Sequence, residues 1–229
     1  MIIQSVGAKR GYKFYQCGFT LVELMVASML SLLVIALIGS IFISTQRSAL
    51  SLSRELMLSQ NLSSAMSQLK EDIERAGYNS DAGFSLRLSG ADDIIHVQSS
   101  ALGYVYYQPS STSEPFFHVV YRLEALPNSQ HNLTPKSNLK VCEKSSAQIL
   151  TMVSAALSQV GSYCYAVFDP ELMNITQFTL TNHNIAGSSL RRQFIQVSVS
   201  AHLLKWPEVT QNLSLTLHSG NKLPSGNGS

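Results

Sequence analysis

Glu23 is the single formally charged side chain between Phe19 and Ile43, a stretch in which most other residues are apolar. A carboxylate inside a bilayer costs roughly 2.5–3.5 kcal/mol near the centre, so such a group asks for a partner of opposite charge. The blander reading is a carboxylate close to the headgroups, where the cost is lower. Little else in the chain has the spacing of a reactive site. The 6 histidines, His96, His118, His131, His183, His202 and His218, are scattered without ligand spacing, and no CxxC or Cys/His cluster suggests zinc. The GxSxG, HExxH, P-loop and GxGxxG patterns are missing as well. Asp92-Asp93 reads as a solvated turn before a strand rather than part of a calcium loop. We therefore expect no metal, no cofactor and no enzyme activity. A membrane-anchored enzyme is the competing class, and turnover of any substrate by the part of the chain after Ile43 would revive it.

The run that carries Glu23, residues 19–43, is long enough to span a membrane. Charged residues make up 13% of the 229-residue chain and hydrophobic residues 45%, and this run accounts for much of the imbalance. Lys9, Arg10 and Lys13 all precede it; without them the formal net charge of +2 becomes −1. That leaves no basic footprint for nucleic acid. The basic flank predicts an N-terminus that stays cytoplasmic and a body after Ile43 that is exported. Of the 3 cysteines, Cys17 lies on the cytoplasmic side, and Cys142 and Cys164 lie in the exported body. A pair 22 residues apart in an oxidising compartment is expected to form a disulfide. Closing a loop of that size contributes roughly 3 kcal/mol. Two buried free thiols are the alternative.

A secretory signal peptide has a short apolar core followed by a small-residue cleavage site. Here the apolar run is too long, no such site follows it, and a glutamate is its fifth residue. The segment Gly18-Phe19-Thr20-Leu21-Val22-Glu23-Leu24-Met25-Val26-Ala27 resembles the prepilin peptidase recognition motif of type IV pilins and type II secretion pseudopilins. The resemblance implies cleavage between Gly18 and Phe19, methylation of the new amino group on Phe19, and loss of Cys17 with the leader. It also implies a role for Glu23, as counter-ion to the Phe19 ammonium of a neighbouring subunit during filament assembly. A carboxylate and an ammonium attract strongly in low dielectric, and such a pair would fix axial register.

The elements follow from patterning. No proline occurs before Pro109, and Gly39 is the single glycine between Phe19 and Ala76, which predicts one long helix over residues 19–76. Beyond Ser44 the helix becomes polar, with a stripe at Leu52, Leu56, Leu62, Ala65, Met66, Leu69, Ile73 and Ala76, and Gly77 as its C-terminal cap. Short β-rich runs are expected at residues 93–98, 104–107, 116–123, 163–168 and 175–181. Strict alternation follows over residues 195–203 and 213–217, the sign of half-buried antiparallel strands. A short helix is weakly signalled over residues 147–157. The expected class is α+β, a long N-terminal helix with a transmembrane first half packed on an antiparallel sheet in a pilin-like roll. The expected organisation is a cleaved basic leader (1–18), a transmembrane and assembly half-helix (19–43), an amphipathic half-helix (44–77), a β-rich head (78–217) and a flexible tail (218–229).

Within that family, Gln68-Leu69-Lys70-Glu71-Asp72-Ile73-Glu74-Arg75-Ala76-Gly77-Tyr78 resembles the stretch that closes the long helix of PilW-type minor pilins. The late strands sit where that group places its last ones, although His218-Ser219 stands where the group usually has an Arg-Asn. The resemblance implies a minor pilin of a type IV pilus that helps to prime or cap assembly. Its implied partners are the prepilin peptidase, other minor pilins, the major pilin and the inner membrane. The implied location is a single pass in the inner membrane with a periplasmic head, then the filament. A J-type pseudopilin of a type II secretion system is the alternative of similar size.

Overall fold

The computed structural model describes residues 18, 20–80, 85–109, 113–126, 135–157, 162–186, 190–221 and 223–224. The leader apart from Gly18, with Cys17, and the expected methylation site Phe19 lie outside the described residues. The chain divides into two compact units, Met1–Ser51 and Leu52–Ser229. Helix α1, Leu21–Glu74, contributes residues to both.

In the second unit, α1 buries Leu58, Leu62, Met66, Leu69 and Ile73, a stripe at three- and four-residue steps. Leu52 and Leu56, expected on that stripe, are 57% and 50% exposed. At 100° per residue they project about 80° and 120° away from the stripe centre, so residues spaced correctly among themselves face the wrong way. The helix ends at Glu74, and the expected Gly77 supplies the left-handed turn with φ +76°. No other residue type fits there: a Cβ would also stand 2.6 Å from Ile94 Cγ2.

The β structure forms two antiparallel sheets where one was expected. The first comprises β1 (His96–Gln98), β2 (Ala101–Tyr107), β3 (Phe116–Ala125), β4 (Ser137–Ser146) and β5 (Ser162–Ala166), in sequence order. The second comprises β6 (Met173–Ala186), β7 (Leu190–Leu203) and β8 (Trp206–His218), with β9 (Leu223–Pro224) beside β7. Strand β4 was not anticipated, and α2 (Met152–Ala156) fills only part of the expected 147–157 helix.

The main core lies among the α1 stripe, one face of the first sheet (Leu102, Tyr104, Val119, Tyr121, Val141) and the inner face of the second (Ile195, Val197, Val199, Ala201, Leu203). The opposite face of the first sheet is covered too: Val105, Val120 and Cys142 pack with Leu88 and with Met152, Ala155 and Ala156 of α2. Burial on both faces explains why β2 and β3 read as continuous apolar runs, whereas β7 and β8 alternate with polar residues facing outward. Between the sheets, buried Gln193 imitates a strand: its Oε1 accepts the Ile95 N–H at 3.0 Å and its Nε2 donates to the Ile95 carbonyl at 2.7 Å.

The tail was expected to be flexible, but several of its residues are tied down. Ser219 is buried, Asn221 Nδ2 donates to the Ala76 carbonyl at 2.8 Å, and β9 pairs with Leu190 and Arg191. The Asn221 amide thus satisfies a carbonyl just past the end of α1, where helix termini leave acceptors unpaired. Residues 222 and 225–229 lie outside the described residues.

Candidate functional site

The first turn of α1 is closed by a reciprocal pair. Glu23 Oε2 accepts both the Thr20 N–H at 2.9 Å and the Thr20 hydroxyl at 3.0 Å, while Thr20 Oγ1 accepts the Glu23 N–H at 3.3 Å. The Leu24 N–H reaches the Thr20 carbonyl at 3.2 Å. This is a capping box, Thr-x-x-Glu, in which two amides left without helical partners are satisfied at once. It also sets the carboxylate at the positive end of the helix dipole. The pattern is legible in Thr20-Leu21-Val22-Glu23, although the charge of Glu23 alone does not point to Thr20 as its partner. Both bonds fall on Oε2, and a carboxylate offers about four acceptor positions, so the cap does not exhaust the group.

Gly18 sits outside the helix in open space, with nothing within 4 Å of the position a Cβ would take. Of the expected site residues, the structure therefore places Gly18 at an accessible backbone position and Glu23 in the first helical turn, with Phe19 outside the described residues.

From Leu21 to Leu50 every large apolar side chain is at least 51% exposed. Four of the hydroxyls among them are satisfied within the helix. Ser28, Ser31 and Ser40 each donate to a carbonyl one turn back at 2.8 Å (Met25, Ala27 and Leu37), and Thr45 donates to the Ile41 carbonyl at 2.9 Å. A surface of uncovered hydrocarbon with its hydroxyls paired to its own backbone suits lipid, where an unpaired polar group costs several kcal/mol. This is the one helix among the described residues that is long and apolar enough to cross a membrane.

Cys142 and Cys164 face each other across β4 and β5 and are joined as a disulfide. Cys142 is fully buried in the core beneath α2, and Cys164 is half-buried beside it. The histidines do not converge: among the described residues no group of three or more His, Cys, Asp or Glu could hold a metal ion. His118 is structural. It is fully buried on β3, its Nδ1 lies 3.1 Å from the Lys144 carbonyl, and its Nε2 accepts the Leu150 N–H at 3.0 Å. Those two partners fix the neutral tautomer with the proton on Nδ1. Burial lowers its pKa below the ordinary value, and the nearby Lys144 charge acts in the same direction.

Two family models match the chain. One, described as prepilin peptidase-dependent protein B, covers residues 51–218; the other, described as the prokaryotic N-terminal methylation motif, covers residues 13–41. No match was found among curated proteins or among solved structures.

Proposed function

Since the chain belongs to the prepilin peptidase-dependent protein B family, whose pilin-like members are structural proteins and not enzymes, we propose that it is a minor pilin of a type IV pilus. In this reading the peptidase removes residues 1–18, Phe19 carries the methylated amino group, and residues 19–43 leave the inner membrane to join the filament core. Residues 44–77 complete the helix, and the head, residues 78–217, is carried on the periplasmic side. It resembles PilW-type minor pilins in the stretch that closes the long helix, and other minor pilins and the major pilin are its partners in priming or capping the filament.

The observation that carries the proposal is an uncovered apolar helix whose only early charge, Glu23, is held at the capped first turn. Acceptor positions beyond the Thr20 bonds fit that carboxylate to receive the Phe19 ammonium of an adjacent subunit.

Glu23→Ala tests the role apart from membrane insertion. Insertion should be unharmed, because a charge leaves an apolar segment. Processing should continue, so that mature protein accumulates in the inner membrane while filament number falls. Wild-type piliation in this variant would remove the counter-ion role. A deletion strain that keeps its pili and loses type II secretion would instead assign the chain to a J-type pseudopilin.

A further inference from the structure

Beside the C-terminal end of α1 the head carries a solvent-open cleft of about 550 Å³, within the size range of ligand sites. We propose that it binds a neutral pyranose ring of a glycan chain. Three tyrosines line it: Tyr78, Tyr106 and Tyr107. Their positions are set by packing and backbone bonds. The Gly77 N–H donates to the Val105 carbonyl at 2.9 Å and the Tyr107 N–H to the Tyr78 carbonyl at 2.8 Å, which holds residue 78 alongside β2. The Tyr106 ring lies 6.5 Å from Tyr104 and 5.2 Å from Phe117, and Tyr107 meets Phe116 edge-on at 6.3 Å. Tyr78 lines the cleft and is 48% exposed.

The polar part of the lining selects among ligands. Glu74 and Arg75 bring opposite formal charges to the same rim, and Arg75 also pairs with Asp72 at 3.4 Å, so an anion is not favoured. Gln108 and Asn221 add two amides, giving planar groups that both donate and accept. Adjacent ring hydroxyls, each donor and acceptor at once, match such groups, and the C–H face of a pyranose stacks on tyrosine rings. A proline-rich peptide fits less well, since proline lacks the N–H that the Glu74 carboxylate would need. Being open to solvent, the cleft suits one ring of a longer chain better than an enclosed small molecule. The proposal does not depend on the filament reading.

The test is saturation-transfer NMR on the full chain in lauryldimethylamine oxide micelles, whose headgroup carries no sugar. The probes are chitotetraose, cellotetraose and a proline-rich decapeptide. We expect transfer to ring protons of at least one sugar, with a Kd of about 1 mM. Tyr78→Ala should weaken binding about fivefold through loss of one stacked ring, and Gln108→Ala about threefold through loss of one neutral hydrogen bond. The two substitutions act from separate segments, so misfolding of one variant leaves the other decisive. Absence of transfer to either sugar at about ten times that concentration, undiminished transfer in both variants, or transfer to the peptide alone would each overturn the assignment.

Discussion

Two buried polar residues of β3 show how side-chain chemistry fixes this head. Tyr121 donates to Asp72 Oδ2 at 2.6 Å, joining the first sheet to α1, and burial followed by the Asp72 carboxylate raises its pKa. Tyr121→Phe removes one bond to a charged acceptor and should cost about 2 kcal/mol in denaturant unfolding, followed by the fluorescence of the single tryptophan, Trp206. An unchanged midpoint would show that the Arg75 guanidinium, 3.4 Å from Asp72, suffices alone. His118 predicts a pH dependence. Its folded pKa lies below the unfolded value of about 6.5, so on acidification the unfolded chain takes up the proton first. The stability it contributes is fully present above about pH 6.5 and is lost as pH falls toward the folded pKa. Thermal scans should therefore show Tm declining below about pH 6.5, with a shallower decline in His118→Gln. Parallel profiles would remove the assignment. Neither role was legible in the sequence, where His118 was one of six scattered histidines and the Tyr121–Asp72 pair spans 49 positions.

At the scale of elements, legibility followed how regularly the apolar residues recur. Strands β7 and β8 keep one solvated face, and their alternation showed where they lie. Strand β4 did not show, because Asn138, Lys140, Glu143 and Lys144 break up its apolar residues; Asn138 is buried, and its Nδ2 donates to the Phe168 carbonyl at 2.8 Å. Helix α1 was legible in type and nearly in extent, yet its stripe was placed partly on the wrong face. The corrected stripe makes a paired prediction. Leu62→Ala, at a side chain 1% exposed, should cost about 2–5 kcal/mol of head stability, whereas Leu56→Ala should stay within about 0.5 kcal/mol. Equal losses would restore the uncorrected stripe. The start of α1 was legible as a motif, while the bond between Thr20 and Glu23 emerged only with the geometry.

At the scale of the molecule, the α+β class was readable from the long helix and the alternating strands, but the division into two sheets was not. It depends on which strands pair, and the β5-to-β6 step ends one sheet and begins the next without a distinctive sequence signal. The Gly/Ser/Asn composition of the tail resembles a disordered segment and gives no sign of the contacts that Ser219 and Asn221 make. Truncation after His218 removes the Asn221 amide from the Ala76 carbonyl, together with β9, and should lower head stability by about 1–3 kcal/mol. A truncated chain with wild-type Tm would show that these contacts carry no stability.

The bond from Asn221 to Ala76 spans 145 positions, and it links the end of the long helix to a part of the chain made much later. At about 5–20 residues per second, a ribosome needs roughly 7–30 s to cover that interval. Throughout that time the helix terminus exists without the amide that later closes it. Strands β1 to β8 precede Asn221 and can gather as they emerge, but this joint must wait, and a nascent chain halted before Asn221 would present the carbonyl of Ala76 unclosed.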